Sequence, residues 1–252
     1  MDKLQLSYSQ INLFLDRPVA WELSHIKGVK VPLALALFVG GTFHLTYNLY
    51  YSNRIENNNL SLEDCIDMGA SLWDTRAFSA REDNDIMWGL AKPDEERNKF
   101  LALVKAYYPL ARKIIPSSSE QMFTRELPND ITLRGVIDLI DDKGNPIDLK
   151  TAARLPTKDR LDWDIQPTTY AVILGTDRLL SFTYHFIMKA SVPYTRVVGT
   201  SRDIIMIKWF SNLLLPRIAS LIRTGIYVCD MAKCRTCDYY IAGKCGPREV
   251  SK

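Results

Sequence analysis

Between Leu133 and Thr151 the chain reads LRGVIDLIDDKGNPIDLKT, two apolar runs separated by a dense cluster of turn formers. Read with a strand's period of two, Ile147 and Leu149 fall on one face and Asp148 and Lys150 on the other. The upstream run carries one acid, Asp138, among Val136, Ile137, Leu139 and Ile140. Asp141-Asp142-Lys143-Gly144-Asn145-Pro146 is turn chemistry, so the stretch predicts a hairpin that sets Asp138 near Asp148. Carboxylates among apolar strand residues are costly unless their charge is compensated, and one lysine does not offset two acids. A hard divalent cation with oxygen ligands does. With such an ion bound, Lys150 is free to orient a water or to meet charge developing on a phosphorus centre. The plainer reading makes both acids solvated hairpin residues with Lys150 as their partner.

Other elements follow from local signals. Ser7 or Ser9 caps a helix expected to run to Trp21 or Leu23. Ser61–Phe78 and Asp94–Ile115 read as helices, the second opened by Pro93 and Asp94-Glu95-Glu96. Cys65 reads as a buried thiol, and Trp73, Trp88, Tyr107 and Tyr108 as core aromatics or as platforms for unpaired bases. Ser119–Leu127 and Leu179–Lys189 read as strands. A helix from about Asp164 tolerates Pro167 in its first turn and puts Gln166 and Tyr170, four apart, on one face. Arg202–Thr224 reads as a long amphipathic helix capped by Ser201, kinked at Pro216 and closed by Gly225.

Gly135-Val136-Ile137-Asp138, then Asp148-Leu149-Lys150-Thr151, then Gln166-Pro167-Thr168-Thr169-Tyr170 resemble, in order, the core of the PD-(D/E)XK nucleases, in particular their RecB-type exonuclease branch. The likeness covers roughly residues 4–50 and 120–245. It implies an α/β fold with a restriction-endonuclease-like mixed central sheet flanked by helices, here as one nuclease domain over 1–252. Residues 57–116 would be a helical insertion and 226–252 a cysteine-bound tail. It also implies that Asp138, Asp148 and the Leu149 carbonyl hold Mg²⁺ or Mn²⁺, that Lys150 is catalytic, and that Gln166 and Tyr170 lie against the site. Gly40-Gly41-Thr42-Phe43-His44 is similar to the family's G-x-x-x-H signature and makes His44 a further ligand; otherwise it is a packing residue of an aromatic helix. Glu126, ahead of G-x-x-D, fits loosely as another acid. His25 and His185 lack such context and are taken as structural.

Four of the five cysteines form Cys229-x4-Cys234-x2-Cys237-x7-Cys245, and with no signal-like N-terminus such clustering favours a metal over disulfides. The resemblance implies a 4Fe–4S cluster whose first ligand is normally an N-terminal cysteine; Arg17 stands in that place, so Cys229 would substitute locally. Four-cysteine zinc is the alternative.

The net charge of +3 is unevenly spread: residues 189–252 hold 11 Lys+Arg against 4 Asp+Glu. A basic segment of this kind suits phosphate backbones, or is simply a solvated face. Val29–Gly40, interrupted by Lys30 and Pro32, falls short of the ~20 residues of a membrane span, which predicts a cytoplasmic protein (host-cell cytoplasm if phage-encoded) without membrane contact. The expected function is a Mg²⁺- or Mn²⁺-dependent deoxyribonuclease, an exonuclease or single-strand nuclease. Its substrate would be single-stranded DNA or duplex ends, in recombination, repair or phage or CRISPR DNA processing, with a partner protein of such a complex. The rival is a non-catalytic nucleic-acid-binding scaffold that keeps the nuclease fold.

Overall fold

The computed structural model describes residues 3–82, 86–176 and 180–246. In chain order the elements are β1 (Leu4–Leu6), α1 (Tyr8–Asp16), α2 (Pro18–His25), β2 (Leu33–Ala34), α3 (Leu35–Ile55), α4 (Leu62–Glu82), β3 (Ile86–Met87) and α5 (Pro93–Ala111). Then come β4 (Pro116–Leu127), β5 (Ile131–Asp141), β6 (Pro146–Ala152), α6 (Lys158–Asp162), α7 (Ile165–Leu174), β7 (Leu180–Met188) and β8 (Tyr194–Arg202). The chain finishes with α8 (Ile204–Trp209), a π-helical turn over Phe210–Leu214, α9 (Leu215–Thr224), a 3₁₀ turn over Met231–Thr236 and α10 (Asp238–Ile241).

The sheet is mixed. β4 and β5 are antiparallel, β5 and β6 form the expected hairpin, β6 and β7 run parallel, and β7 and β8 are antiparallel. β4 occupies one edge of β5 over nearly its whole length, so β5 divides its other edge. Parallel β1 takes residues 131–133 and β6 takes 139–140. Between them the strand has an unpaired stretch, and the candidate site forms there.

Helices cover both faces, as the sides of β7 record. Phe182, Tyr184, Phe186 and Met188 pack with α1, α2, α7, α8 and α9. Ile187, with Ile147 and Leu149 of β6, packs with α3, α4 and α5. Segment 57–116 is thus built into the second helical layer: Trp73 and Tyr107 are core residues and Cys65 is fully buried. On the opposite face Arg202 is 1% exposed and uses its donors on Thr168, Thr200 and the carbonyls of Leu161, Ser201 and Asp164. Those bonds tie the end of β8 to the start of α7.

Several boundaries differ from expectation for local reasons. Ser7 caps α1 through a reciprocal box with Gln10, but the helix stops at Asp16. Pro18 disfavours helical backbone at the preceding residue, and Arg17 is non-helical (φ −146°, ψ 76°), so two helices replace one. Ser201 and Arg202 belong to β8, and Asp203 caps the following helix by accepting from Met206 N–H at 2.8 Å. Pro216 does not produce a simple kink: without an N–H it would crowd the carbonyl four residues back, and the π-helical turn just before it widens the helix there. Among the described residues, Ile204–Thr224 is the one stretch long and apolar enough, by length and composition, to cross a membrane. Here Ile207, Phe210, Leu215, Ile218 and Ala219 from it are core residues. Neither β1 nor β8 was expected; β1 is three residues long, and β8 is a largely exposed edge strand.

Candidate active site

The hairpin turn is held by Asp141, whose Oδ1 accepts from Lys143 N–H at 3.0 Å and Asn145 N–H at 2.7 Å. Gly144 sits at φ +80°, a left-handed conformation that favours glycine. Leu139 pairs with Ile147 and Ile140 with Pro146. One register step further brings Asp138 beside Asp148 at the unpaired stretch of β5.

Each carboxylate is met by helix-borne and strand-borne donors. Asp148 is 1% exposed; Lys150 Nζ lies 2.8 Å from its Oδ2 and 3.1 Å from Oδ1, and Gln166 Nε2 of α7 donates to Oδ1. Lys150 is the charge partner of Oδ2, and among the described residues Gln166 Oε1 accepts no hydrogen bond. Asp138 Oδ2 accepts from Leu149 N–H at 2.9 Å and lies 3.3 Å from His44 Nδ1 of α3. Tyr170, one turn after Gln166, bonds Gln166 Nε2 at 3.1 Å and donates to the Val136 carbonyl at 2.9 Å, capping an acceptor that the divided strand leaves open. Gly135 permits this approach: a Cβ there would meet Ile173 Cδ1 at 2.9 Å and Tyr170 Cε1 at 3.3 Å.

The environments of the two acids push them apart. Burial lifts the Asp148 carboxyl to about 6, Lys150 opposing and Asp138 adding to the rise. At Asp138 burial also acts upward, but His44, the Leu149 amide and Lys150 together outweigh it and hold the carboxyl below its usual range. Burial disfavours the charged forms of His44 and Lys150, yet Asp138 and Asp148 respectively raise both. Two carboxyls in one site with opposed shifts is a common property of catalytic centres.

A third acid was not foreseen. Ser119 pairs with Leu139 and Gln121 with Ile137, which sets Glu120 opposite Asp138. Its backbone is left-handed (φ +43°), an uncommon conformation for a residue with a side chain. Glu120 Oε2 accepts from Asn48 Nδ2 at 2.8 Å, and Asn48 Oδ1 accepts from Ser119 Oγ at 2.9 Å. Burial and the neighbouring Asp138 raise its carboxyl, with His44 opposing. Glu120 directly follows the serine run Ser117–Ser119, where nothing local marks it. Glu126 is not brought to the site: it pairs with Thr132 near the far end of β4, accepts from Thr132 Oγ1 at 3.0 Å, and forms an exposed ion pair with Lys3 at 2.9 Å.

Among the described residues no three His, Cys, Asp or Glu side chains are gathered in ligating geometry. At the hairpin His44 lies against Asp138 and Lys150 against Asp148. The donors are nonetheless of the hard, oxygen-rich kind that Mg²⁺ and Mn²⁺ prefer, and Asp148 Oδ2 and Gln166 Oε1 have acceptor capacity left over.

At the C-terminus Cys229, Cys234, Cys237 and Cys245 line one cavity of about 20 Å³ together with Arg17. Burial raises the Cys234 thiol, helped by Cys229 and Cys237. The segment is anchored to the α1–α2 break by Arg17 Nη2 donating to Thr236 Oγ1 at 3.0 Å and by Lys233 Nζ at 2.7 Å from Asp16 Oδ1.

A divided mixed sheet that presents two acids and a lysine from a hairpin, with Gln and Tyr delivered from the next helix, defines an acid–lysine phosphodiesterase type of site. The sequence pattern of the PD-(D/E)XK nuclease superfamily matches residues 5–242, and the chain belongs to that superfamily. Among solved structures, a protein of Eubacterium rectale provisionally named an exonuclease superposes with a TM-score of 0.60. It is 15% identical, with 95% of this chain and 88% of that chain covered, a likeness of fold. The crystal structure of SSO0001 overlaps at a TM-score of 0.37 and 12% identity, over 92% of this chain and 91% of that one. No curated protein matches the chain.

Proposed function

We propose that the protein is a Mg²⁺- or Mn²⁺-dependent deoxyribonuclease of RecB type, one domain acting on single-stranded DNA or duplex ends in recombination, repair or phage or CRISPR DNA processing. The observation that carries this reading is the buried Asp148, held by Lys150 and Gln166 and set opposite Asp138, which in turn contacts His44. Asp138, Asp148, Glu120, His44 and the Leu149 carbonyl are the groups that would hold the cation. When bound, it neutralises charge at the scissile phosphate and makes a water acidic. Lys150 is partly exposed, and its ammonium would orient the attacking water and stabilise charge on the phosphorus oxygens. Gln166 fixes the Asp148 carboxylate, and Tyr170 fixes Gln166 and the open β5 carbonyl.

The test is cleavage of labelled DNA with Mg²⁺ or Mn²⁺ by Asp148→Asn and Lys150→Ala proteins. Each loses ~10²–10³-fold or more in rate, the usual effect of removing one group that stabilises transition-state charge. Full activity in either variant overturns the assignment, and binding without cleavage by the native chain favours the scaffold.

The cysteine tail is read as a metal site that pins the basic C-terminal segment to the core. Two fillings compete, a 4Fe–4S cluster and a single Zn²⁺. Arg17 stands where the resemblance expects the first cluster cysteine, so either filling would use the four local thiols Cys229, Cys234, Cys237 and Cys245. Metal content of the purified protein, with its visible absorption, decides between them.

A further inference from the structure

Beyond Lys150, on the side of α7, opens a cleft of about 560 Å³ lined by Tyr8, Asn12, Trp163, Tyr184 and Phe186, with Arg160 also on its wall. This is within the ~300–1,000 Å³ range of small-ligand sites. Its walls are fixed by one carboxylate. Asp164 caps α7 by accepting from Gln166 N–H at 2.9 Å, accepts the Tyr184 hydroxyl at 2.8 Å, and lies near enough to Tyr8 to oppose ionisation of its hydroxyl. The Tyr184 and Phe186 rings stack at 5.7 Å between centroids and 26° between planes. The same turn that positions the Asp148 partner Gln166 therefore positions the aromatic wall next to Lys150.

Trp163 is the unusual member. It ends α6, is 69% exposed, and stands on the ridge between this cleft and a second concavity lined by Lys158, Phe182 and Thr200. Its indole contributes little to the core, whereas Trp73 is 1% and Trp21 3% exposed. An accessible indole beside phenol rings, a carboxamide and an exposed guanidinium is the chemistry that recognises an unpaired base and its phosphate.

We propose that this cleft takes one unstacked nucleotide of single-stranded DNA, adjoining the phosphate presented to Lys150. The base lies on Trp163 and against Tyr8, and Arg160 meets the backbone. The inference rests on the nuclease reading of the hairpin site and adds the form of substrate. In a duplex, base faces are already stacked and their edges paired, so a base enters only where the strand is open.

The test is equilibrium binding of a fluorescent oligothymidylate of about 12 nucleotides, in EDTA so that nothing is cut, to the whole protein and to Trp163→Ala, Trp163→Phe and Trp209→Ala. Trp209 is 47% exposed on α8 and controls for loss of any accessible indole. Trp163→Ala weakens binding about ten- to a hundredfold, the usual worth of one stacked base. Trp163→Phe keeps most of the affinity and Trp209→Ala keeps all of it. Trp163→Ala within twofold of the native protein, equal losses in the Trp163→Ala and Trp209→Ala proteins, or a native protein that does not bind the oligonucleotide overturns the proposal. A native protein that cuts no DNA, while Trp163→Ala alone loses binding, sinks the nuclease reading and leaves the cleft assignment standing. A native protein that cuts DNA, with Trp163 indifferent, does the reverse.

Discussion

Replacing Gly135 by alanine tests whether the split strand and α7 are fitted to each other as described. The added Cβ would lie 2.9 Å from Ile173 Cδ1 and 3.3 Å from Tyr170 Cε1, against an ordinary carbon–carbon contact of ~3.5–4.0 Å. Ile173 and Tyr170 are each 5% exposed, so neither retreats into solvent. Overpacking of this size costs ~1–3 kcal/mol. Gly135 is outside the left-handed region, so alanine also restricts the unfolded chain and offsets ~0.4–1 kcal/mol of that cost. The net loss of ~1–2 kcal/mol lowers Tm by about 2–8 °C in a chain of this length. Ile173→Val deletes the Cδ1 that the new methyl meets, and alone costs ~0.5–1.5 kcal/mol. The double variant should be more stable than the sum of the two by at least ~0.5 kcal/mol, measured by urea unfolding. Because Tyr170 and Gln166 ride on the same helix, Gly135→Ala also displaces the Asp148 partner. A misplacement approaching 1 Å costs up to ~10²-fold in rate, which the second substitution partly restores. Strict additivity in stability, or a Gly135→Ala protein with native Tm and activity, refutes the packing argument.

Two further outcomes are expected. Glu120→Gln lowers metal-dependent DNA cleavage at least ~10-fold while Glu126→Gln stays within about twofold, since Glu120 faces Asp138 and Glu126 pairs with Lys3 at the surface; the reverse ranking, measured in parallel assays, would restore Glu126 to the site. Burial pushes His185 down to about 4 from its ordinary 6.5, and its Nδ1 lies 2.8 Å from the Tyr107 hydroxyl. Between these values the unfolded chain binds a proton that the folded chain refuses, so the His185 contribution to stability is complete above pH 6.5. It is lost as pH falls toward 4, in total ~3 kcal/mol at ~1.4 kcal/mol per unit. Urea unfolding at pH 7.5 and 5 should show a shallower fall for His185→Gln than for the native protein; parallel slopes would mean that His185 does not titrate this way.

The chemistry of the site was legible because it is written in short range. A hairpin needs only the turn cluster at 141–146, a shared helical face needs only the four-residue spacing of Gln166 and Tyr170, and a cap needs only Ser7 and Gln10. Each is decided by backbone geometry over a handful of residues. The same holds for the alternation that set Asp148 and Lys150 together against Ile147 and Leu149. The tertiary structure alone decided which distant groups meet them. Glu120 reaches Asp138 through strand register across 18 residues. Asp164 accepts from Tyr184 across 20 residues and lies near Tyr8 of α1. Glu126 has the more family-like position in sequence, and Glu120 the better one in space. Register and layer packing are settled by burial of the whole core, and no local window contains that information.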